Sequence, residues 1–228
     1  GAAQAGVALP SGDRALPRLE MMGGEFCGNA ARSFGHYLAA ERGLRGKHTL
    51  TLEVSGAKEP VRVEVDAEAG TAAAEMPLPL SVENLEYRGR ALPLVVFEGI
   101  SQAAAAGIPA DEETFREIRA LAEGRGGAPP APLALGVMFW DEAALTAVPA
   151  VYVYRTSSLV FESSCGSGTA ALGCVLGRDL RDGEKRWSIR QPGGVVEASV
   201  QKEAGKLRRI TIGGPVRLGE KTEWTPGG

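Results

Sequence analysis

Two short stretches carry the residues of this chain that could do chemistry. Glu25-Phe26-Cys27-Gly28-Asn29-Ala30 and Glu162-Ser163-Ser164-Cys165-Gly166-Ser167-Gly168-Thr169-Ala170 each place a cysteine just ahead of a run of small residues with helical spacing. A thiol at the first turn of a helix meets N–H groups that have no intrahelical acceptor, together with the positive end of the helix dipole, and both favour the thiolate. The same N–H groups, at Gly28-Asn29 and Gly166-Ser167, make an anion site suited to a carboxylate. If the two helix starts face each other, a small carboxylate is held with one thiol on either face of its α-carbon. A thiolate on one side can then remove a proton while the thiol opposite delivers one, and the two titrations are coupled. The dipoles also stabilise the charge that develops as the α-carbon loses its proton. No pyridoxal lysine or nicotinamide glycine motif is evident, so no organic cofactor is expected.

The elements that position these thiols repeat. With Cys27 laid on Cys165, Gly28 falls on Gly166, Ala31 on Thr169, Phe34 on Leu172, Gly35 on Gly173 and Leu38 on Leu176, without a gap. Behind each helix comes a hairpin pattern: Leu50–Val54, Ser55-Gly56 and Val61–Val65 in the first copy, Trp187–Arg190, Gln191-Pro192-Gly193-Gly194 and Val195–Val200 in the second. A period this long means a duplicated half-domain, since solenoid repeats run to about 20–50 residues. The expected fold is α/β (α+β): two pseudo-symmetric lobes, residues 1–90 and 91–212, each a mostly antiparallel sheet or barrel wrapped around a central helix. Residues 213–228 are expected to return to the first lobe.

The 228 residues suffice for such a pair of lobes around a cleft, and clefts hold ligands. A net charge of -3 built from mixed signs gives neither a nucleic-acid footprint nor a polybasic membrane patch. No apolar run reaches the roughly 18 residues of a membrane span, and no signal-peptide pattern opens the chain, so a cytoplasmic protein is expected. Three cysteines and two histidines provide neither a disulfide framework nor a zinc-ligand spacing. Oligomeric state is left open between a monomer and a homodimer.

Read in order, Gln4–Leu9 is a strand, Pro10–Asp13 a turn and Leu16–Met21 a second strand. About seventy residues precede the second cysteine within its lobe but only twenty-six precede the first, which suggests that an N-terminal piece is absent from this sequence. Residues 29–42 are helical, with Ala30, Phe34, Tyr37 and Leu38 spaced as one face. Thr71–Met76 reads as a third strand, and Pro77, Pro79 and the polar run Ser81–Arg90 read as the passage between lobes. In the second lobe Ala91–Phe97 is a strand, Gly99–Gln102 a turn, and Asp111–Glu123 an amphipathic helix with Phe115, Ile118 and Leu121 inward. Leu133–Trp140 and Val151–Tyr154 are strands, residues 168–180 the second central helix, and Arg208–Ile212 and Val216–Trp224 two closing strands.

Phe-Cys-Gly-Asn-Ala and Ser-Cys-Gly-Ser-Gly-Thr-Ala, each opening a helix, resemble the paired signatures of the diaminopimelate epimerase family of cofactor-independent two-cysteine racemases. The resemblance runs over nearly the whole chain. It implies that Cys27 and Cys165 are the catalytic acid and base, and that Gly28, Asn29, Gly166 and Ser167 hold the α-carboxylate of a free amino acid. Gln4 would match the glutamine of an early strand in that family. The departures matter as well. Diaminopimelate epimerases carry a Glu-Arg pair some nine residues before the second cysteine, where this chain has Arg155-Thr156-Ser157. The strand that should present an asparagine reads Gly136–Phe139, and the turn that normally carries histidine is Gly99–Gln102. The wording is closer to the histidine racemases of nicotianamine-like metallophore synthesis, which implies histidine or a similar amino acid as substrate rather than diaminopimelate.

Other residues read more plainly. Cys174 is expected in the core, His36 and His48 at the surface or a helix end, and Met21 and Met22 against the cleft wall. Glu25 and Glu162 are either helix N-terminal carboxylates or groups that bind a substrate amino group. Diaminopimelate epimerisation proper, a phenazine-biosynthesis type of isomerase and a non-catalytic amino-acid-binding thiol switch are the competing functions.

Overall fold

Each cysteine motif is the crossover between two parallel strands. In the first half β2 (Arg18–Met21) leads through Cys27 into α1 (Gly28–Glu41), and β3 (Lys47–Val54) returns parallel to β2. In the second half β10 (Thr146–Val153) and its hairpin partner β11 (Ser158–Phe161) lead through Cys165 into α3 (Gly166–Leu176). There β12 (Gly183–Gln191) returns parallel to β10. The computed structural model describes residues 5–9, 16–124 and 133–222.

The remaining strands are β1 (Gly6–Leu9), β4 (Val61–Asp66), β5 (Thr71–Met76), β6 (Ser81–Tyr87), β7 (Arg90–Val96), β8 (Ile100–Ala106), β9 (Ala134–Asp141), β13 (Gly194–Glu203) and β14 (Lys206–Pro215). Hydrogen-bonded neighbours follow one path, β1-β2-β3-β4-β5-β14-β13-β12-β10-β9-β8-β7-β6. Apart from β2 with β3, β10 with β12 and β8 with β9, the pairings are antiparallel. Strand β14 joins the halves, pairing Ile212 with Ala74 of β5 on one edge and with Ala198 of β13 on the other. Val216 N–H continues the crossing by donating to Gly70 O at 2.9 Å.

Helix α1 buries Ala31, Phe34 and Ala39 against Leu52, Val63, Val65, Ala72 and Ala74. Helix α3 lies among Val196, Val200, Ile210 and Ile212 on one side and Met138, Trp140, Ile189 and Ala198 on the other. Each buried side chain of Leu or Ile size contributes on the order of 1.5–3 kcal/mol. The poor helix formers of α3 are explained by close approach: a Cβ on Gly168 would overlap Met138 Sδ, and one on Gly173 would lie 2.9 Å from Ala198 Cβ. Gly35, the counterpart of Gly173, is as tight, its Cβ falling 2.6 Å from Val63 Cγ1. The duplication therefore extends to packing. Strands β8 and β9 are buried on both faces: Ala103, Ala105, Leu135, Val137 and Phe139 meet Phe115 and Ile118 of α2 (Glu112–Glu123), whereas Ala104, Met138 and Trp140 face α3.

Several expectations are corrected. The polar run Ser81–Arg90 is strand β6 and its turn into β7, an edge strand whose alternate residues Leu85 and Tyr87 are buried. Ile100–Gln102 begins strand β8 instead of forming a turn, and only Gly99, at φ 81°, is turn-like. Strand β14 is the closing strand, and residues 216–222 add no further one. Helix α3 ends at Leu176. Leu121 is exposed and Ala122 packs inward in its place. His36 is buried, because α1 is enclosed by sheet around most of its circumference, and Met22 is 80% exposed while Met21 is buried. Cys174 is half-buried, packed against the α3 core. Gln4 and the turn at 10–13 lie outside the described residues.

Candidate active site

Cys27 and Cys165 are both N-cap residues, with nearly the same extended backbone: φ -126°, ψ 106° and φ -122°, ψ 115°. Each Sγ accepts from the N–H three residues on, Ala30 N and Gly168 N, both at 3.4 Å. Sulfur thus occupies the place where oxygen of Ser, Thr, Asn or Asp usually satisfies a first-turn donor, at the positive end of the dipole. The two helix starts are neighbours. Asn29 Nδ2 donates to Ser164 Oγ at 3.2 Å, and a Cβ on Gly166 would come within 3.6 Å of Asn29 N. Ile212 Cδ1 lies beneath both, 2.8 Å from a Cβ built on Gly28 and 2.7 Å from one built on Gly166. Glycine at both positions is what lets the helices meet over this strand.

The hairpin behind each helix fixes the turn that bears the cysteine. In the first half Ser55 Oγ accepts from Met21 N at 2.8 Å and donates to Glu25 O at 3.1 Å, and the space a Cβ of Gly56 would fill is occupied by the Glu25-Phe26 backbone. In the second, Gln191 Oε1 accepts from Cys165 N at 2.8 Å, Gln191 Nε2 donates to Thr169 Oγ1 at 2.7 Å, and Thr169 Oγ1 donates to Cys165 O at 2.6 Å. That ring pins both backbone groups of Cys165. Gly193 N–H donates to Ser163 O at 2.7 Å, matching the role of Gly56.

Electrostatics separate the two thiols. Burial raises the Cys27 thiol, opposed by the N–H groups of Ala30 and Asn29 and reinforced by Glu25 and Glu162. Cys165 is pushed up to about 12, first by burial and then by the charge of Glu162, against Ser167 and the Gly168 N–H. Burial also raises the Glu162 carboxyl, and its hydrogen bond with Cys165 pulls the other way. Ser167 Oγ lies 3.5 Å from Cys165 Sγ.

Comparison with known proteins gives the family. Residues 2–222 match the family model described as the histidine racemase CntK N-terminal domain. The chain belongs to this histidine racemase family. A histidine racemase of Fusobacterium nucleatum is 33% identical over 205 residues, 88% of this chain and 75% of that protein. A histidine racemase of Staphylococcus aureus is 28% identical over 185 residues, 78% of this chain and 66% of that one. The fold is shared with a protein described as a predicted epimerase from Pseudomonas aeruginosa, at TM-score 0.67 and 13% identity over 98% of this chain and 84% of the other. It is shared too with a probable proline racemase from Agrobacterium radiobacter solved with bound carbonate, at TM-score 0.62 and 15% identity over 98% and 76%. The chain is an isomerase of the amino-acid racemase kind.

Within this racemase the structure brings together most of the residues singled out in the sequence. Cys27, Gly28, Asn29, Glu162, Cys165, Gly166 and Ser167 surround the junction of the two helix starts. Glu25 is exposed on the same turn as Cys27. The Asn29 carboxamide is engaged at both ends, its Nδ2 donating to Ser164 Oγ and its Oδ1 accepting from Arg32 Nε at 3.0 Å, so its side chain ties the halves together. Sequence reasoning missed Gln102, which is fully buried and donates through Nε2 to Ser167 Oγ at 2.9 Å and Cys165 Sγ at 3.6 Å. A Cβ on Gly136 would overlap the Gln102 carboxamide. Gln102 and Gly136 are thus coupled: the amide fills the space that a side chain at 136 would take. Gln191 and Thr169 were read only as parts of a hairpin and a helix, and Arg32 was not singled out.

Proposed function

We propose that this racemase interconverts the enantiomers of free histidine by proton exchange between Cys27 and Cys165 across the α-carbon. The observation that carries the reading is the matched pair of cysteine N-caps on two adjoining helix starts. First-turn N–H groups of Gly28, Asn29, Gly166 and Ser167 receive the α-carboxylate, and the dipoles of α1 and α3 stabilise the charge as the α-hydrogen leaves. One sulfur takes that hydrogen as a thiolate and the other gives its own from the opposite face, which inverts the centre and leaves the pair with exchanged protonation. The names of the related racemases support histidine over diaminopimelate. So does the absence of the Glu-Arg pair that would meet a distal carboxylate, which is costly to bury unpaired. A cytoplasmic setting belongs to the same proposal, since thiols that must cycle need a reducing compartment. The test is solvent deuterium uptake at the α-carbon, screened over the protein amino acids and diaminopimelate. Histidine should exchange fastest with loss of optical rotation; faster exchange of diaminopimelate, or exchange of none, would overturn the proposal.

A further inference from the structure

Two glutamine side chains reach Cys165 from different strands, and they are satisfied differently. The Gln191 amide is bonded at both ends, accepting from Cys165 N and donating to Thr169 Oγ1. The Gln102 amide is bonded at one. Its Nε2 donates to Ser167 Oγ at 2.9 Å and to Cys165 Sγ at 3.6 Å, while Oε1, fully buried, has no hydrogen-bond partner among the described residues. A buried carbonyl without a partner costs free energy, so its retention points to a role for the other end of the amide. The sheet holds that end in place: Gln102 pairs with Val95 of β7 and Gly136 of β9, and the amide occupies the space of a side chain at 136.

An amide nitrogen can only donate, so Ser167 Oγ accepts from Gln102 and keeps its own hydrogen for another acceptor. Cys165 Sγ lies 3.5 Å away. With Gly168 N–H at 3.4 Å and Gln102 Nε2 at 3.6 Å, three hydrogen-bonding groups meet on one sulfur. Asn29, which takes the place of Ser167 in the first copy, has no hydroxyl, and its amide is turned to Ser164 and Arg32. The arrangement belongs to one half of the duplication.

Resting on the two-thiol reading above, we propose that Gln102 is a positioning residue that makes the Ser167 hydroxyl a donor to Cys165, and that these two groups and Gly168 N–H hold the Cys165 thiolate once this thiol has protonated the α-carbon. The S–H bond breaks, the hydrogen passes to carbon and the electron pair stays on sulfur. Ser167 and Gln102 keep their own protons throughout. Hydrogen bonds to an ionised acceptor are stronger than those to a neutral one, so the three donors favour the thiolate over the thiol. Burial and Glu162, the charged group that faces Cys165 from the turn before α3, act against it. Strands β8, β9, β12 and β13 present the uncharged Gln102, Met138, Gln191 and Ala198.

The proposal is tested by the rate at which iodoacetamide alkylates Cys165, at a fixed pH below its midpoint, in a protein carrying Cys27→Ser and Cys174→Ser, since the thiolate is the reacting form. Gln102→Met, which keeps the length of the side chain and removes the donor, should slow alkylation by about threefold or more, and Ser167→Ala should do the same. That figure corresponds to a midpoint raised by roughly one unit, a tenfold smaller thiolate fraction offset in part by the greater nucleophilicity of a more basic sulfur. Ser167→Thr, which keeps the hydroxyl, should retain the rate. Loosened packing alone would act the other way, exposing the thiol and speeding the reaction. An unchanged or faster rate in Gln102→Met overturns the proposal. Should that variant fail to fold, Ser167→Ala against Ser167→Thr decides, and equal rates in the two overturn it. Because alkylation needs no turnover, slowed alkylation in a protein that exchanges no histidine sinks the proposed reaction alone, and unchanged alkylation in one that does exchange it sinks only the role of Gln102.

Discussion

Asn29 Nδ2 donates to Ser164 Oγ at 3.2 Å, so the first turn of α1 is fastened to the residue before the second catalytic candidate, 135 positions away in the chain. Cutting this tie should misplace both thiols at once. Asn29→Ala should lower kcat by roughly ten- to hundredfold, the effect of losing a half-buried hydrogen bond that orients reacting groups. Circular dichroism should show an unchanged fold, and a variant with wild-type kcat would show that the tie does not position the site.

Both thiols are required under the proposed exchange. Cys27→Ala and Cys165→Ala should each reduce α-deuterium exchange by roughly a thousandfold, the usual worth of a positioned acid or base. Cys174→Ala, remote from the helix starts, should retain most of it. Turnover near normal in either of the first two would end the mechanism.

Gln102 and Gly136 form a pair that a double-mutant cycle can expose. Gln102→Ala removes the donor to Ser167 and Cys165, and should slow exchange by about tenfold or more. Gly136→Ala should act similarly by displacing the same carboxamide, and adding it to Gln102→Ala should cost little more. Additive losses would mean that the two positions act separately.

Gly28 and Gly166 present a stability test with a counterintuitive sign. Alanine normally stabilises a helix interior relative to glycine by about 0.5–1 kcal/mol. Here its Cβ meets Ile212 Cδ1 at 2.8 Å in the first case and 2.7 Å in the second. Overpacking should therefore destabilise Gly28→Ala and Gly166→Ala by about 1–3 kcal/mol in chemical denaturation. Ile212→Val, which lacks that Cδ1, should recover part of the loss in Gly166→Ala.

Alkaline stability follows from acids that the fold takes wholly or partly out of water. Burial pushes Cys165 and Cys174 from 9.0 up to about 12, and Tyr154 from 10.0 up to about 12. The folded state holds these protons more tightly than the unfolded chain, so stability is intact below pH 9 and falls as pH rises toward 12. Thermal unfolding scans should show the decline beginning near pH 9, with a shallower slope in Cys174→Ala. A midpoint that does not move over this range would contradict the assignment.

The cysteine turns and the hairpins behind them were legible because duplication prints the same local pattern twice, and local pattern is what a sequence displays. Gln102 was not, since its role arises from the parallel register that sets β8 beside β9 and carries its amide across Gly136 to Ser167. The composition of β6 hid it for a similar reason: at the edge of a sheet every second residue faces water, and Asn84 and Glu86 read as a linker until Leu85 and Tyr87 are seen turned inward. The burial of His36 and Arg32 depended on how much of α1 the sheet encloses, which helical spacing alone does not reveal.

Strand β14 completes the hydrogen bonding of β5 as well as that of β13, yet it consists of residues 206–215. During synthesis the first cysteine turn, α1 and β3–β5 leave the ribosome long before the strand that closes their sheet. The amino-terminal half therefore waits with an open β5 edge until nearly all of the chain described here has emerged, and both halves mature in the same final event.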